Sequence, residues 1–278
     1  MDSRFSLQRP NHYGRVLGSS QVHGRSHTSF NKWLTCLYPN PAARLRLFCL
    51  PFAGSGASVF RTWGRDLAPV VEVCPVQLPG RENRLAEPPY TDIRALTQSL
   101  VDQLRPYAQK PFALFGHSMG ALLAFELTRT LQRENGPMPL VLFLSAHRAA
   151  NLLSRRKPLS HLPAPEFIQA VRDLGGTPEG VFESQDLIDI TLPTLRADFT
   201  LCETYHFVPG PPLDCPLILC AGRKDTEVSP QEVEAWSEHT TRTAHLQLFP
   251  GDHFFLRSDY ELLLQTIATT LAQLVQAA

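Results

Sequence analysis

Ser118, Asp225 and His253 carry the side chains that nucleophilic acyl transfer requires, in the chain order serine, acid, histidine. A serine hydroxyl is a weak nucleophile at neutral pH. A nearby imidazole must take its proton, and a carboxylate must hold that imidazole in the right tautomer. Ser118 lies in Phe112-Ala-Leu-Phe-Gly116-His-Ser118-Met-Gly120-Ala-Leu-Leu-Ala-Phe, a GxSxG pattern directly after an apolar run and directly before a run of helix formers. A sharp strand-to-helix turn demands that context: the serine is forced into strained backbone, and the glycines remove side chains where strand and helix approach. GxSxG alone arises often by chance. The flanking elements and the downstream partners give it weight.

Those partners fall at the ends of apolar runs. Cys220-Ala-Gly-Arg-Lys-Asp225 leaves one run for a loop, and Phe249-Pro-Gly-Asp-His253-Phe-Phe follows the last. Asp252 competes for the role of acid, but it adjoins His253, and a chain neighbour folds its carboxylate back onto the imidazole with difficulty. Asp198 and Glu203 lie in a long insertion and read as helix caps or solvated charges. His117 is expected to point away from the serine as a packing or hydrogen-bonding residue. His147, His161, His206, His239 and His245 fit no strand-end loop in the required order. The oxyanion of acyl transfer needs two backbone donors. One is the N–H of Met119, at a helix start where the dipole also favours negative charge. The other comes from Leu50-Pro-Phe52-Ala53-Gly54-Ser55-Gly56, with Ala53 preferred to Phe52. That loop contains neither GxGxxG nor a GK[ST] end, so a phosphate cradle is a poor reading of it.

The elements that must position these residues alternate along the chain. The runs Leu45–Leu50, Val70–Gln77, Phe112–Phe115, Leu140–Leu144, Leu217–Cys220 and Leu246–Phe249 are short and nearly continuously apolar, as strands of a parallel sheet covered on both faces should be. Helical patterns occupy roughly 91–108, 119–134, 230–238 and 258–276. The alternation predicts an α/β architecture with a doubly wound, mostly parallel sheet. About 70 residues separate Ser145 from Pro216 without continuing the rhythm. Within them, Pro165–Leu174 reads as a helix closed by Gly175 and Gly176, and Pro193 reads as the first turn of another. The insertion, 147–207, covers exposed core or forms a lid. Its place beside the carboxyl ends of the strands favours a lid, with Phe52, Phe167, Leu195 and Phe199 offered to an acyl chain.

Composition narrows the partners. With 278 residues, 43% of them hydrophobic, the chain can build one sizeable core, here assigned to 32–278. Residues 1–31 carry four Arg against one Asp and no hydrophobic period, which predicts a disordered leader. Lys plus Arg and Asp plus Glu are both 26, so nothing in the charge calls for nucleic acid or an anionic membrane. The six cysteines form no CxxC pair and read as small buried side chains in a reducing, cytoplasmic setting, with no metal site.

Taken together, these residues resemble the type II thioesterases, discrete editing hydrolases of the α/β-hydrolase superfamily that accompany nonribosomal peptide and polyketide synthases. The likeness spans nearly all of 38–276. It rests on Pro39-Asn-Pro-Ala-Ala-Arg-Leu-Arg-Leu-Phe, Leu50-Pro-Phe-Ala-Gly, Gln77-Leu-Pro-Gly-Arg-Glu-Asn-Arg84, Gly116-His-Ser-Met-Gly120, Leu174-Gly-Gly-Thr-Pro178, Leu195-Arg-Ala-Asp198 and Gly251-Asp-His-Phe-Phe255. The Pro-Gly-Arg-x-x-Arg piece is the most distinctive. Departures are Gly54-Ser55-Gly56 in a loop that is often richer in glycine, Phe52 where His, Tyr or Trp is frequent, and Ala146 where glycine is common. They bear on pocket shape. The resemblance implies an acyl thioester on the phosphopantetheine arm of an acyl or peptidyl carrier protein as substrate, and removal of stalled or wrong acyl units as the task. A monomer without a cofactor of its own is expected. A medium-chain fatty acyl thioesterase of the same group and a general carboxylesterase remain the alternatives.

Overall fold

The strands form where the apolar runs predict them, because a strand covered on both faces needs no polar alternation. In the computed structural model, which describes residues 30–68 and 71–277, six strands make one sheet. They are β1 (Arg46–Leu50), β2 (Glu72–Pro75), β3 (Phe112–His117), β4 (Leu142–Ser145), β5 (Leu217–Gly222) and β6 (Ala244–Phe249). Their order is β2-β1-β3-β4-β5-β6, and every pairing is parallel. Every residue of β1 to β4 is buried. The edge strand β6 is only partly so. Val70, placed at the start of a strand by the sequence, lies outside the described residues.

Nine α-helices lie among the described residues: α1 (Trp63–Asp66), α2 (Ile93–Leu104), α3 (Met119–Arg133), α4 (Ala164–Asp173), α5 (Glu179–Phe182), α6 (Gln185–Glu203), α7 (Pro230–Glu234), α8 (Phe255–Ser258) and α9 (Tyr260–Ala277). Successive residues of β3 point to opposite faces, and the core divides accordingly. Leu114 joins Leu100, Phe125, Leu144 and Trp236 under α2, α3 and α7. Phe115 joins Phe60, Trp63, Phe143 and Leu263 under α1 and α9. The sheet order reverses between β1 and β3, so the loops after these two strands part and leave a crevice, the usual ligand position in such sheets.

The insertion holds α4, α5 and α6 and has a small core of its own, Phe167, Val171, Leu195 and Phe199. Its first helix matches the expected span, ending before Gly175 at φ +73°. Its last does not start at Pro193. That proline sits inside α6, which begins at Gln185 after Ser184, whose side chain accepts from the Leu187 N–H. A serine cap with Asp186 in the first turn starts the helix upstream. The carbonyl that Pro193 deprives of its partner is that of exposed Asp189, which water can reach.

Most of the expected leader lies outside the described residues. Phe30 and Asn31 belong with the domain: the Phe30 ring packs 5.3 Å from Tyr107, and the Asn31 amide donates to Gln103.

Candidate active site

The turn between β3 and α3 shows why the sequence needs glycine on both sides of Ser118. A Cβ on Gly116 would lie 2.0 Å from the Gly120 carbonyl oxygen, and one on Gly120 would lie 2.2 Å from that of Leu50. Ser118 itself takes φ 53°, ψ −118°, a conformation that costs of order 1–3 kcal/mol and persists only where the surroundings over-determine it. Its N–H donates to the Ser145 carbonyl at 2.8 Å, tying the turn to β4.

Three loops converge on this serine. The Ser118 hydroxyl stands 3.1 Å from His253 Nε2, and His253 Nδ1 stands 2.8 Å from Asp225 Oδ2. Asp225 is almost wholly buried, and its Oδ1 accepts the Glu227 and Val228 N–H groups at 2.8 and 3.0 Å, which fixes the carboxylate's orientation. The proton on His253 is therefore assigned to Nδ1, leaving Nε2 free to accept from the serine. Asp252 is exposed and turned onto the Phe254 N–H. Its carboxylate is used locally, away from His253. His117 is buried and bridges Ser145 Oγ (2.8 Å) and the His253 carbonyl (2.9 Å), so it holds the loop that carries His253. Burial first, and then the neighbouring His253, push its pKa well below the usual histidine value.

The loop after β1 approaches from the other side. Met119 opens α3, so its N–H has no carbonyl within the helix to bond. Together with Ala53 and Phe52 it lines a cavity of about 460 Å³ that opens onto Ser118 and His253. The 52–57 loop is held by residues distant in sequence. Gly54 N–H donates to Asp198 Oδ2 at 2.7 Å, and the Arg81 guanidinium grips both Asp198 oxygens at 2.8 Å while donating to the Ser55 carbonyl at 3.0 Å. Gln77 accepts from Ala57 N–H and donates to the Arg81 carbonyl. Asp198 is thus neither a helix cap nor a solvated charge. It is a buried ion-pair partner, because α6 turns it inward against the Arg81 guanidinium, which neutralises it. Glu203 caps no helix either: it pins the loop ahead of α4, accepting from the Leu159 and Ser160 N–H groups.

Leu195 and Phe199 line the cavity, and Phe167 does not. Phe167 lies on the inward face of α4 and packs edge-on against Phe199, centroids 5.5 Å apart. Val171, one turn further on, reaches the cavity in its place.

A family described as a thioesterase domain matches residues 45–271. The chain belongs to the thioesterase family. It is accordingly a hydrolase that acts on thioesters. This thioesterase is 43% identical over 234 residues to a gramicidin S biosynthesis protein, GrsT, of Aneurinibacillus migulanus, covering 84% of this chain and 91% of that one. It is 34% identical to the medium-chain S-acyl fatty acid synthase thioesterase of Homo sapiens, covering 86% and 89%. Among solved structures, the type II thioesterase BorB of the borrelidin biosynthetic cluster superposes with a TM-score of 0.81 at 39% identity, covering 88% of this chain and all of that one.

Two features of the thioesterase's cavity wall were not read from its sequence. Ala146 takes φ 52°, the left-handed region that glycine adopts without cost and a side chain adopts only under constraint. His147 is buried on the wall, and desolvation, followed by the charge of Arg148, pushes its pKa down to about 3. It stands there as a neutral ring, with its carbonyl held by the Trp236 indole N–H. Among the described residues no cluster of His, Cys, Asp or Glu could hold a metal ion, all six cysteines are free thiols, and no helix is long and apolar enough to cross a membrane.

Proposed function

We propose that this thioesterase removes acyl groups from the phosphopantetheine arms of acyl or peptidyl carrier proteins, clearing stalled or wrong units from a nonribosomal peptide or polyketide synthase. Ser118 is the nucleophile, His253 the base and Asp225 the acid that orients it. The observation that carries the reading is the unbroken chain of hydrogen bonds from Asp225 through His253 to Ser118, ending in a cavity partly walled by Leu195 and Phe199. The larger identity to GrsT than to the fatty acid synthase thioesterase favours the biosynthetic assignment.

In the reaction, Ser118 Oγ attacks the thioester carbonyl carbon as His253 Nε2 takes its proton. The carbonyl oxygen becomes an oxyanion facing the Met119 and Ala53 N–H groups. Collapse of that intermediate breaks the C–S bond, and His253 returns the proton to the departing thiolate of the arm. Water then attacks the acyl-serine by the same route and releases a carboxylic acid. Asp225 stays ionised throughout and stabilises the imidazolium.

The insertion acts as a lid whose apolar wall sets acyl preference. Each methylene contributes only about 1–3 kcal/mol of discrimination, so a range of short acyl groups is accepted, as editing requires. The enzyme works in the cytoplasm as a monomer, beside its carriers, and needs no cofactor of its own. A fluorophosphonate probe tests the nucleophile: it is expected to label wild type on Ser118 and to leave Ser118→Ala unlabelled. Labelling of the variant at another residue would refute the assignment.

A further inference from the structure

Asp198 sits on α6 of the insertion, yet one of its oxygens is bonded to the backbone of the loop after β1, 144 residues earlier in the chain. The loop turns sharply there. Gly54 has φ +77°, and Ser55 returns both its N–H and its hydroxyl to the Phe52 carbonyl at 3.1 and 2.8 Å. Ala53, between Phe52 and Gly54, has its orientation fixed by what holds those two neighbours. Asp198 holds Gly54, Arg81 holds Ser55, and Arg81 is itself locked by Asp198 and by the Pro79 carbonyl. Thr194, one turn before Asp198, donates to the Gly80 carbonyl, so α6 meets the Arg81 segment at two levels. Leu195 packs so closely over Gly54 that a Cβ there would come within 2.3 Å of it. Both charged side chains are buried to more than nine-tenths.

We propose that Asp198, braced by Arg81, is a positioning residue for the oxyanion hole, and that it makes the seating of α6 a condition for stabilising the transition state. This deepens the proposed function and rests on it. An aspartate on the insertion sets the direction of the Ala53 N–H. When α6 is seated, the Gly54 N–H has its acceptor and the turn points Ala53 at the reacting carbonyl. When α6 lifts, the carboxylate leaves, Gly54 loses its acceptor, and the hole is reduced to Met119. Hydrolysis is thereby confined to substrate enclosed by the insertion.

The test separates binding of the transition state from binding of the ground state. A trifluoromethyl ketone analogue of the acyl-pantetheine thioester adds to Ser118 and places an oxyanion in the hole. A thioether analogue, with CH₂ in place of the carbonyl, fills the same cavity without that oxygen. Misplacement of a donor by about 1 Å costs about 10²-fold, so Asp198→Ala is expected to lower kcat and trifluoromethyl ketone affinity each by about that factor. KM and thioether affinity are expected to stay within about threefold. Asp198→Asn keeps an oxygen for the Gly54 N–H but, like alanine, leaves Arg81 unpaired. It is expected to recover at least about tenfold of the lost ketone affinity while melting no higher than the alanine variant. Equal weakening of both analogues, or no recovery in Asp198→Asn, would overturn the proposal and leave the ion pair a structural brace. Should Asp198→Ala not fold, Arg81→Lys is read by the same ratio of affinities: it keeps the cation and gives up the two-pronged grip, and an unchanged ratio overturns the proposal equally. Wild type hydrolyses the thioester in the same assay; if it does not, the proposed function fails and not this inference.

Discussion

The elbow glycines and two glycines of the insertion, Gly175 and Gly180, stand in opposite surroundings. A Cβ at Gly116 or Gly120 would strike backbone at 2.0 and 2.2 Å, whereas one at Gly175 or Gly180 would meet nothing within 4 Å. Around Ser118 the backbone is fixed by contacts from β1, β4 and the loop of His253. The insertion is fastened at a few points, among them Asp198 on Arg81, Thr194 on Gly80, and Tyr205 on Glu126. The first half of α6 is largely exposed, while Thr194 to Phe199 are mostly buried. A close-packed region suits chemistry, which needs geometry held within fractions of an ångström. A region held at points suits recognition, which must admit different acyl groups. Substitutions in the first should change rate, and substitutions in the second, apart from Asp198 where it braces the loop after β1, should change selectivity or stability.

The largest expected effect belongs to the fixed region. Asp225→Asn should lose roughly 10³- to 10⁴-fold in kcat through a misoriented imidazole, with Asp252→Asn far milder because its carboxylate is turned onto the Phe254 N–H and not onto His253. Equal damage from the two would erase the distinction between them, as measured by steady-state hydrolysis of an acyl-pantetheine thioester.

A pair of phenylalanines sharpens the comparison within the insertion. Phe199 lines the cavity and Phe167 lies behind it, fully buried. Phe167→Ala should destabilise the fold by about 3–5 kcal/mol at most, less if the small lid core relaxes, and leave the ranking of acyl lengths intact. Phe199→Ala should instead alter the ranking of acetyl, butyryl and octanoyl thioesters by several-fold. Chemical denaturation and parallel kinetics read the two outcomes. A changed ranking in Phe167→Ala alone would reverse the assignment.

The smallest effect is a gain. Gly180 stands inside α5 with open space around its Cα, so Gly180→Ala should stabilise by roughly 0.4–1 kcal/mol, with kcat unchanged. A loss of stability would show that the insertion is packed more tightly than its contacts indicate.

The same contrast governs what the sequence revealed. Ser118, Asp225 and His253 were legible because each follows a short, largely apolar strand, and loops after parallel strands must gather at one end of the sheet. The expected sheet and the four helices expected outside the insertion were legible for the same reason, since apolar period reports burial, while the single turns α1 and α8 are too short to show one. The insertion was less so. Pro193 looked like a helix start because proline favours that position, but the serine cap at Ser184 prevails when the lost hydrogen bond falls on an exposed carbonyl. Phe167 and Phe199 are alike in type and spacing, and only packing decides which faces the cavity. The Arg81–Asp198 pair joins residues 117 positions apart. The motifs around both were noticed, yet no local pattern can announce a partner at that distance.

The central claim is that Ser118 carries the acyl group between the phosphopantetheine arm and water. Its most direct test is intact-protein mass measurement of an acetylated or butyrylated carrier protein mixed with catalytic amounts of enzyme. With wild type, the carrier is expected to lose the acyl mass and return to its free phosphopantetheine form, releasing the carboxylic acid. With Ser118→Ala, folded as judged by its melting temperature, the rate should fall about 10⁴-fold or more, to near the spontaneous background. A variant that clears the carrier at a tenth of the wild-type rate would contradict the account.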